Sequence, residues 1–170
     1  MTQNEQVAVF LAVIKAGLQE KGFGDIAVRR AYQPRRSATP DKLVSFFPVS
    51  SKLYGFFGKS QKVGAVIEEK TEQVVETIWQ FQAQFKETAN SELTATDILL
   101  IVSDILRDCR EEMRAQGVNM LRITDIRNPY FLDSSDEYTA SPSFDIILQT
   151  NTQTTKEIPE SHPVCAIYRV

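Results

Sequence analysis

Few side chains in this 170-residue chain have the types and spacing that chemistry needs. Its single histidine, His162, lies in Glu-Ser-His-Pro near the C-terminus, where it reads as a solvated loop residue rather than a catalytic base. Cys109 and Cys165 are the only cysteines, have no metal-type spacing, and read as two reduced, small apolar side chains. Gly55-Phe-Phe-Gly58 lacks both the Lys-Ser/Thr pair and the following helix of a phosphate loop. There is no nucleophile elbow and no Cys/His cluster with zinc spacing. The carboxylate pairs Glu68/Glu69 and Glu111/Glu112 are adjacent residues, which point apart on a helix or strand and so read as solvated faces. The expectation is a non-enzyme with no cofactor and no metal.

One basic cluster stands out: Arg29, Arg30, Arg35 and Arg36 fall within eight residues, with Tyr32 between them. Such a group could contact phosphates without reading sequence, pair with acids of another subunit, or keep an exposed strand end soluble. The pI of 5.3 argues against a dedicated nucleic-acid module, which usually has a strongly basic balance. Charge is nevertheless uneven along the chain. Residues 1–64 carry a net +6 and residues 65–170 a net −9, which leaves −3 for the whole. Either the protein presents one basic and one acidic surface, suited to head-to-tail contact with its own copies, or folding interleaves the halves and the asymmetry vanishes.

The elements that must position these groups fit one domain, residues 1–170. An apolar fraction of 42% with 24% charged residues is ordinary for a folded chain. No apolar run approaches the roughly 20 residues that cross a bilayer, so no membrane partner is expected. The opening Met-Thr-Gln-Asn-Glu does not resemble a secretory signal, which fits synthesis in the cytoplasm. Residues 4–20 read as an amphipathic helix with Val7, Phe10, Leu11, Ile14 and Leu18 on one stripe, closed by Gly22 and Gly24. Thr94 followed by Asp97 is a helix-start signal. The stripe Leu99, Val102, Leu106, Cys109 and Met113 then runs on to Gly117.

Residues 72–86 alternate with period two. Val75, Thr77, Trp79, Phe81, Ala83 and Phe85 form one face and Glu76, Gln80, Gln82, Gln84 and Lys86 most of the other, as in a half-buried antiparallel strand. That strand is long enough to project beyond the domain or pair with a neighbour. Residues 26–33, 43–50, 118–127 and 143–150 are further strand candidates, and 164–169 a weaker one. The expected fold is α+β, a mostly antiparallel sheet of four to six strands packed against two helices, with long loops.

Three stretches, 34–42, 51–71 and 128–142, read as those loops, and long loops on a small core usually carry binding surfaces. Two hold large apolar groups: Tyr54, Phe56 and Phe57 in one, Tyr130 and Phe131 in the other. These rings either tuck into the core or serve as anchors at an interface.

Several segments resemble the neck or tail terminator proteins of tailed bacteriophages, also called gateway proteins in some contractile-tailed phages. They are Lys52-Leu-Tyr-Gly-Phe-Phe-Gly-Lys59, Trp79-Gln-Phe-Gln-Ala83 with Leu93-Thr-Ala-Thr-Asp-Ile-Leu99, and Leu121-Arg-Ile-Thr-Asp-Ile-Arg-Asn-Pro-Tyr-Phe131 with Ala140-Ser-Pro-Ser-Phe-Asp145. The resemblance spans about residues 43–150 and identifies a structural family, not an active site. It implies a small α+β subunit assembled as a ring, usually a homohexamer, in the virion at the head-tail junction, built in the host cytoplasm. The ring would terminate the tail tube, touch tube and sheath proteins below and neck, connector or collar proteins above, and leave a channel for DNA. Tyr54, Phe56, Phe57, Tyr130 and Phe131 would then be interface anchors, and Arg29, Arg30, Arg35 and Arg36 would supply charge complementarity or line the channel. The contrasting expectation is a monomeric or dimeric ligand-binding α+β regulatory module, its aromatic loops forming a pocket closed by arginines.

Overall fold

The structure, a computed structural model, describes residues 2–31, 40–63, 66–85, 93–128, 130–132 and 138–159, the outer parts of its longest strands and residues 130–132 and 138–140 largely by their pairing alone. Helix α1 spans Gln3–Glu20. It begins where Thr2 and Glu5 cap each other reciprocally, Thr2 Oγ1 accepting from the Glu5 amide and Glu5 accepting from the Thr2 amide at 2.6 Å. It ends at Gly22, whose φ of +85° suits a residue without a Cβ. Helix α2, Ala95–Asp108, starts on the same device, Thr94 with Asp97.

The helical pattern expected to run unbroken to Gly117 does not. It is interrupted at Cys109 (φ −88°, ψ 14°), and a short α3, Arg110–Ala115, follows. The break keeps Met113 fully buried and lets Val118 donate back to the Met113 carbonyl at 2.9 Å, turning the chain into the next strand at Gly117 (φ +87°).

Strands β1 (Ala27–Arg30), β2 (Lys42–Val63), β3 (Val66–Phe85), β4 (Asn119–Ile123) and β7 (Ser143–Pro159) form one sheet in the order β1-β2-β3-β7-β4. Only β1 and β2 run parallel; every other pair is antiparallel. Strands β5 (Tyr130–Leu132) and β6 (Tyr138–Ala140) pair as a separate two-stranded hairpin. The expected α+β architecture is therefore present, with a third, short helix added.

The helices cover one face. Phe10 of α1 meets Phe46, Trp79 and Phe81 edge-on, with ring centroids 5.4–5.7 Å apart, while Phe81 stacks on Phe46 and Phe144. The face predicted for burial from Thr77 to Ala83 is buried as expected, while Val75 and Phe85 at its two ends are half-buried. The one tryptophan, Trp79, donates its Nε1–H to Gln6 Oε1 at 3.0 Å, so a buried polar pair is satisfied inside this cluster.

Two of the three expected loops are corrected. Residues 51–63 and 66–71 belong to β2 and β3, which pair without interruption, apart from two bulges, to Val63↔Val66. Residues 128–142 contain the β5–β6 hairpin. The third expected loop, 34–42, lies mostly outside the described residues, as does the weak strand 164–169.

Candidate assembly surfaces

Three surfaces emerge from this arrangement. The first is an arm. Beyond the pair Ser51↔Thr77, strands β2 and β3 run on side by side to Val63↔Val66, and β7 accompanies β3 to Val66↔Pro159. At about 3.3 Å per residue the eleven steps from Thr77 to Val66 extend roughly 36 Å. On β2 and β3 the residues whose burial is described outward of the Ser51↔Thr77 pair are exposed or half-buried, including Leu53 at 58% exposure opposite Val75, while Thr150 of β7 is buried. Ser51 Oγ and Thr77 Oγ1 lie 3.4 Å apart at its root. Tyr54, Phe56 and Phe57 are register positions of this arm, opposite Val74, Gln73 and Glu72, with a bulge between Tyr54 and Phe56. They belong to a strand, not to a loop.

The second surface is the sheet face away from the helices. Among the described residues it carries Gln80, Gln82, Asp145, Ile78, Ile147 and Gln149, all half-buried, and the exposed Gln84. Gln82 Nε2 donates to Gln80 Oε1 at 3.4 Å. Asp145 accepts from Arg127 Nη2 at 2.7 Å while its own amide donates to Thr124 Oγ1, which ties β7 to the segment leaving β4; its Oδ1 is buried without a partner. Tyr130 and Phe131 follow that segment, at register positions opposite Ala140 and Thr139.

The third surface is the edge of β1, which no described strand pairs on its outer side. Arg29 pairs in register with Ser45 and Arg30 with Phe46. The Ala31 amide donates to the Phe46 carbonyl at 2.9 Å, so by alternation Val28 and Arg30 turn their backbone groups to the open edge. Arg30 Nη1 donates to Asn4 Oδ1 at 3.0 Å, and Arg29 is exposed. Arg35 and Arg36 lie outside the described residues. Beside this edge a cavity of about 540 Å³ opens between α1 and β1, lined by Lys15, Leu18, Gln19, Gly24, Asp25, Ile26, Ala27, Val28 and Arg29. Lys42 Nζ sits 2.7 Å from Asp25 Oδ2, which holds that carboxyl below its ordinary value, and lies over the Phe85 ring.

The sequence-predicted residues thus fall on three separate places, arm, hairpin and edge strand, and do not converge on one pocket. Missed by sequence reasoning were the cavity and the arm's full length. One signal did exist for the arm: the two residues between Val63 and Val66 begin with Gly64, and a two-residue link opening on glycine is a hairpin cue.

Folding interleaves the two halves of the charge in the arm, with Lys52 opposite Glu76, and brings Glu20 of the first half near Asp108 and Glu112 of the second. The β1 edge carries Lys15 and Arg29, while at the α2–α3 junction Glu112, Asp108 and Glu20 lie close enough to Cys109 to add to the effect of burial in pushing its thiol up.

Among the described residues no three His, Cys, Asp or Glu side chains are placed to hold a metal, and no helix is long and apolar enough to cross a membrane. His162 and Cys165 lie outside the described residues.

No curated protein matches the sequence. Among solved structures the fold is similar to the sheath/tube terminator of an extracellular contractile injection system, PVC, in its extended state, with a TM-score of 0.57 and 12% identity. The alignment covers 100% of this chain and 63% of that one, so the chain spans less than two thirds of the terminator's length. A family model described as E217 gateway protein gp29 matches residues 5–160, which takes in most of α1, the whole five-stranded sheet and the hairpin. On that match, the chain belongs to the family of the phage E217 gateway protein gp29.

Proposed function

We infer that this protein is a structural ring subunit of a phage virion, placed at the head-tail junction, where it terminates the tail tube and connects it to the neck. The observation that carries the reading is the family match over residues 5–160. Its surfaces suit the role. The two edges of the sheet, β1 and β4, differ in chemistry, and a closed ring of identical subunits needs two different, complementary patches on each. The arm offers a long lever that adds reach without enlarging the core.

Six copies around a DNA channel is the assembly proposed, formed in the host cytoplasm before it joins tube, sheath and neck proteins. Tyr54, Phe56 and Phe57 on the arm and Tyr130 and Phe131 on the hairpin are the proposed anchors toward these neighbours. Arg29 and Arg30 take the charge-complementing role at the subunit edge. No catalytic step is assigned.

The test is to purify the chain with and without preformed tail tubes. Light scattering and negative-stain microscopy should show rings, free or capping tube ends, and capped tubes should stop growing. A monomer that leaves tube ends open and elongating overturns the reading.

A further inference from the structure

We propose that Asp145 is a positioning residue: it fixes the root of the β5–β6 hairpin, and with it the orientation in which the hairpin meets a neighbouring protein. This rests on the ring reading above, in which Tyr130 and Phe131 of that hairpin are anchors.

The hairpin is an excursion from the body between Asn128 and Pro142, and both ends are pinned. On the outgoing side, Arg127 and Ser143 exchange backbone hydrogen bonds at 2.8 Å in each direction. Ile126 packs against the core, and Thr96 Oγ1, in the first turn of α2, donates to Asn128 Oδ1 at 3.2 Å. On the returning side, the Pro142 carbonyl accepts from the Ala83 amide at 3.3 Å, and Pro142 and Ser143 are both buried.

The ties of the outgoing side converge on Asp145. Its amide donates to Thr124 Oγ1 at 2.8 Å, its carbonyl accepts from the Thr124 amide at 2.9 Å, and its Oδ2 forms the 2.7 Å ion pair with Arg127. The other carboxylate oxygen, Oδ1, is buried with no partner. Gln80, opposite Asp145 on β3, is hydrogen-bonded to Gln82 instead.

A buried oxygen left unpaired costs free energy, and more on a charged group than on a neutral one. Its ion pair returns little in stability, because Arg127 is 55% exposed and solvent screens the attraction. Stability alone would therefore favour a neutral side chain at this position. What the carboxylate supplies is a short, charge-assisted, directional bond to the residue from which the chain departs for the hairpin. A stability cost retained where geometry matters is the mark of a functional position.

Two substitutions in the full chain test the role. Asp145→Asn keeps the size but gives up the charge, and Arg127→Met removes the other partner at an exposed side chain. Hydrogen exchange at the Arg127 and Ser143 amides, which close the root, should quicken by about tenfold in both variants. Each should also cap preformed tail tubes about tenfold less well, as expected for the loss of one charge-assisted bond. The urea midpoint of Asp145→Asn should meanwhile stay at or above that of the wild type. Combining the two changes should lose no more capping than either alone, since both break the same pair.

Unchanged exchange at the two amides overturns the positioning role, and so does wild-type capping by variants whose root has loosened. A drop in capping that merely tracks a drop in the urea midpoint overturns it as well, and assigns Asp145 to the stability of the sheet. Exchange is measured on the free chain and so is independent of assembly. A wild-type chain that never caps tubes removes the ring reading, and the docking purpose of the root with it, whatever the exchange rates.

Discussion

At Gly17 of α1 the chain packs against Ile105 of α2, and adding one carbon there is a quantitative test of the packing. A Cβ at position 17 would lie 2.5 Å from Ile105 Cγ2, 2.9 Å from Cγ1 and 3.0 Å from Cδ1. Ile105 is 1% exposed and β-branched, so within a helix it has one strongly preferred rotamer and cannot swing aside. The helices would have to separate by about 1 Å to restore ordinary contact, loosening the layer in which Phe10, Ile14 and Leu18 are buried. Overpacking of this kind typically costs about 1–3 kcal/mol. Replacing a helical glycine by alanine returns about 1 kcal/mol of helix propensity. The expected net effect of Gly17→Ala is therefore a loss of up to about 2 kcal/mol, a fall in Tm of up to roughly 8 °C for a chain of this size.

Urea denaturation followed by far-ultraviolet circular dichroism measures the loss. A double-mutant cycle with Ile105→Ala assigns it, because the three atoms that clash are the ones removed. Ile105→Ala alone should cost about 2–5 kcal/mol, and its cost in the Gly17→Ala background should be smaller by the overpacking it relieves, about 1–3 kcal/mol. If Gly17→Ala stabilises the protein as an exposed helical glycine would, or if the two changes simply add, the close approach of α1 to α2 is not what limits position 17.

Gly22 fails for a different reason: its φ is +85° and nothing lies within 4 Å of a built Cβ, so Gly22→Ala should lose about 1 kcal/mol through the backbone alone, with Gly22→Asn losing less in the same denaturation assay. Gln6→Leu leaves the Trp79 indole N–H buried without an acceptor and should destabilise by about 1–3 kcal/mol, whereas adding Trp79→Phe should recover part of that; equal stability of the two variants counts against the pair. Stability should also fall in acid. Glu5, Asp25 and Asp97 are held below ordinary values of 4.5, 3.8 and 3.8 by amide and hydroxyl donors at the two caps and by Lys42. A depressed folded pKa contributes stability that is present above the unfolded value and is lost as pH falls through the folded one. Urea midpoints should thus decline from about pH 4.5 downward, less steeply in Asp97→Asn, and an unchanged slope in that variant would remove the cap from the account.

The body of the fold was legible because its signals are local. Thr94 with Asp97, the three- and four-residue steps of α2 and the alternation through Trp79, Phe81 and Ala83 each state a structure within a dozen residues. The outer parts of β2 and β3 were not, because Gly55, Gly58 and a string of Lys, Glu and Gln carry low strand preference. Those residues are strand because their neighbours β3 and β7 supply hydrogen-bonding edges, a contextual cause that β propensity reflects poorly. The end of α2 was overrun for a related reason: the apolar stripe continues through Cys109 to Met113, with no local signal at the interruption. The cavity at the β1 edge was invisible for a simpler one. Lys15 and Arg29 sit on different elements with no shared period, and only folding brings them together.

Strand β7 comes last of the seven described strands yet occupies an interior position, between β3 and β4. Its contacts are made at long range, as with Thr150 and Val75, 75 positions apart. While the polypeptide is being synthesised, β2 and β3 can zip together early, but β4 has no partner to lie against until the final strand slots in. High contact order of this sort slows folding and leaves a bare edge on β3 in the meantime. A nascent chain thus has no finished β4 edge until its own sheet is complete, so the order of threading decides which side of the sheet is formed last.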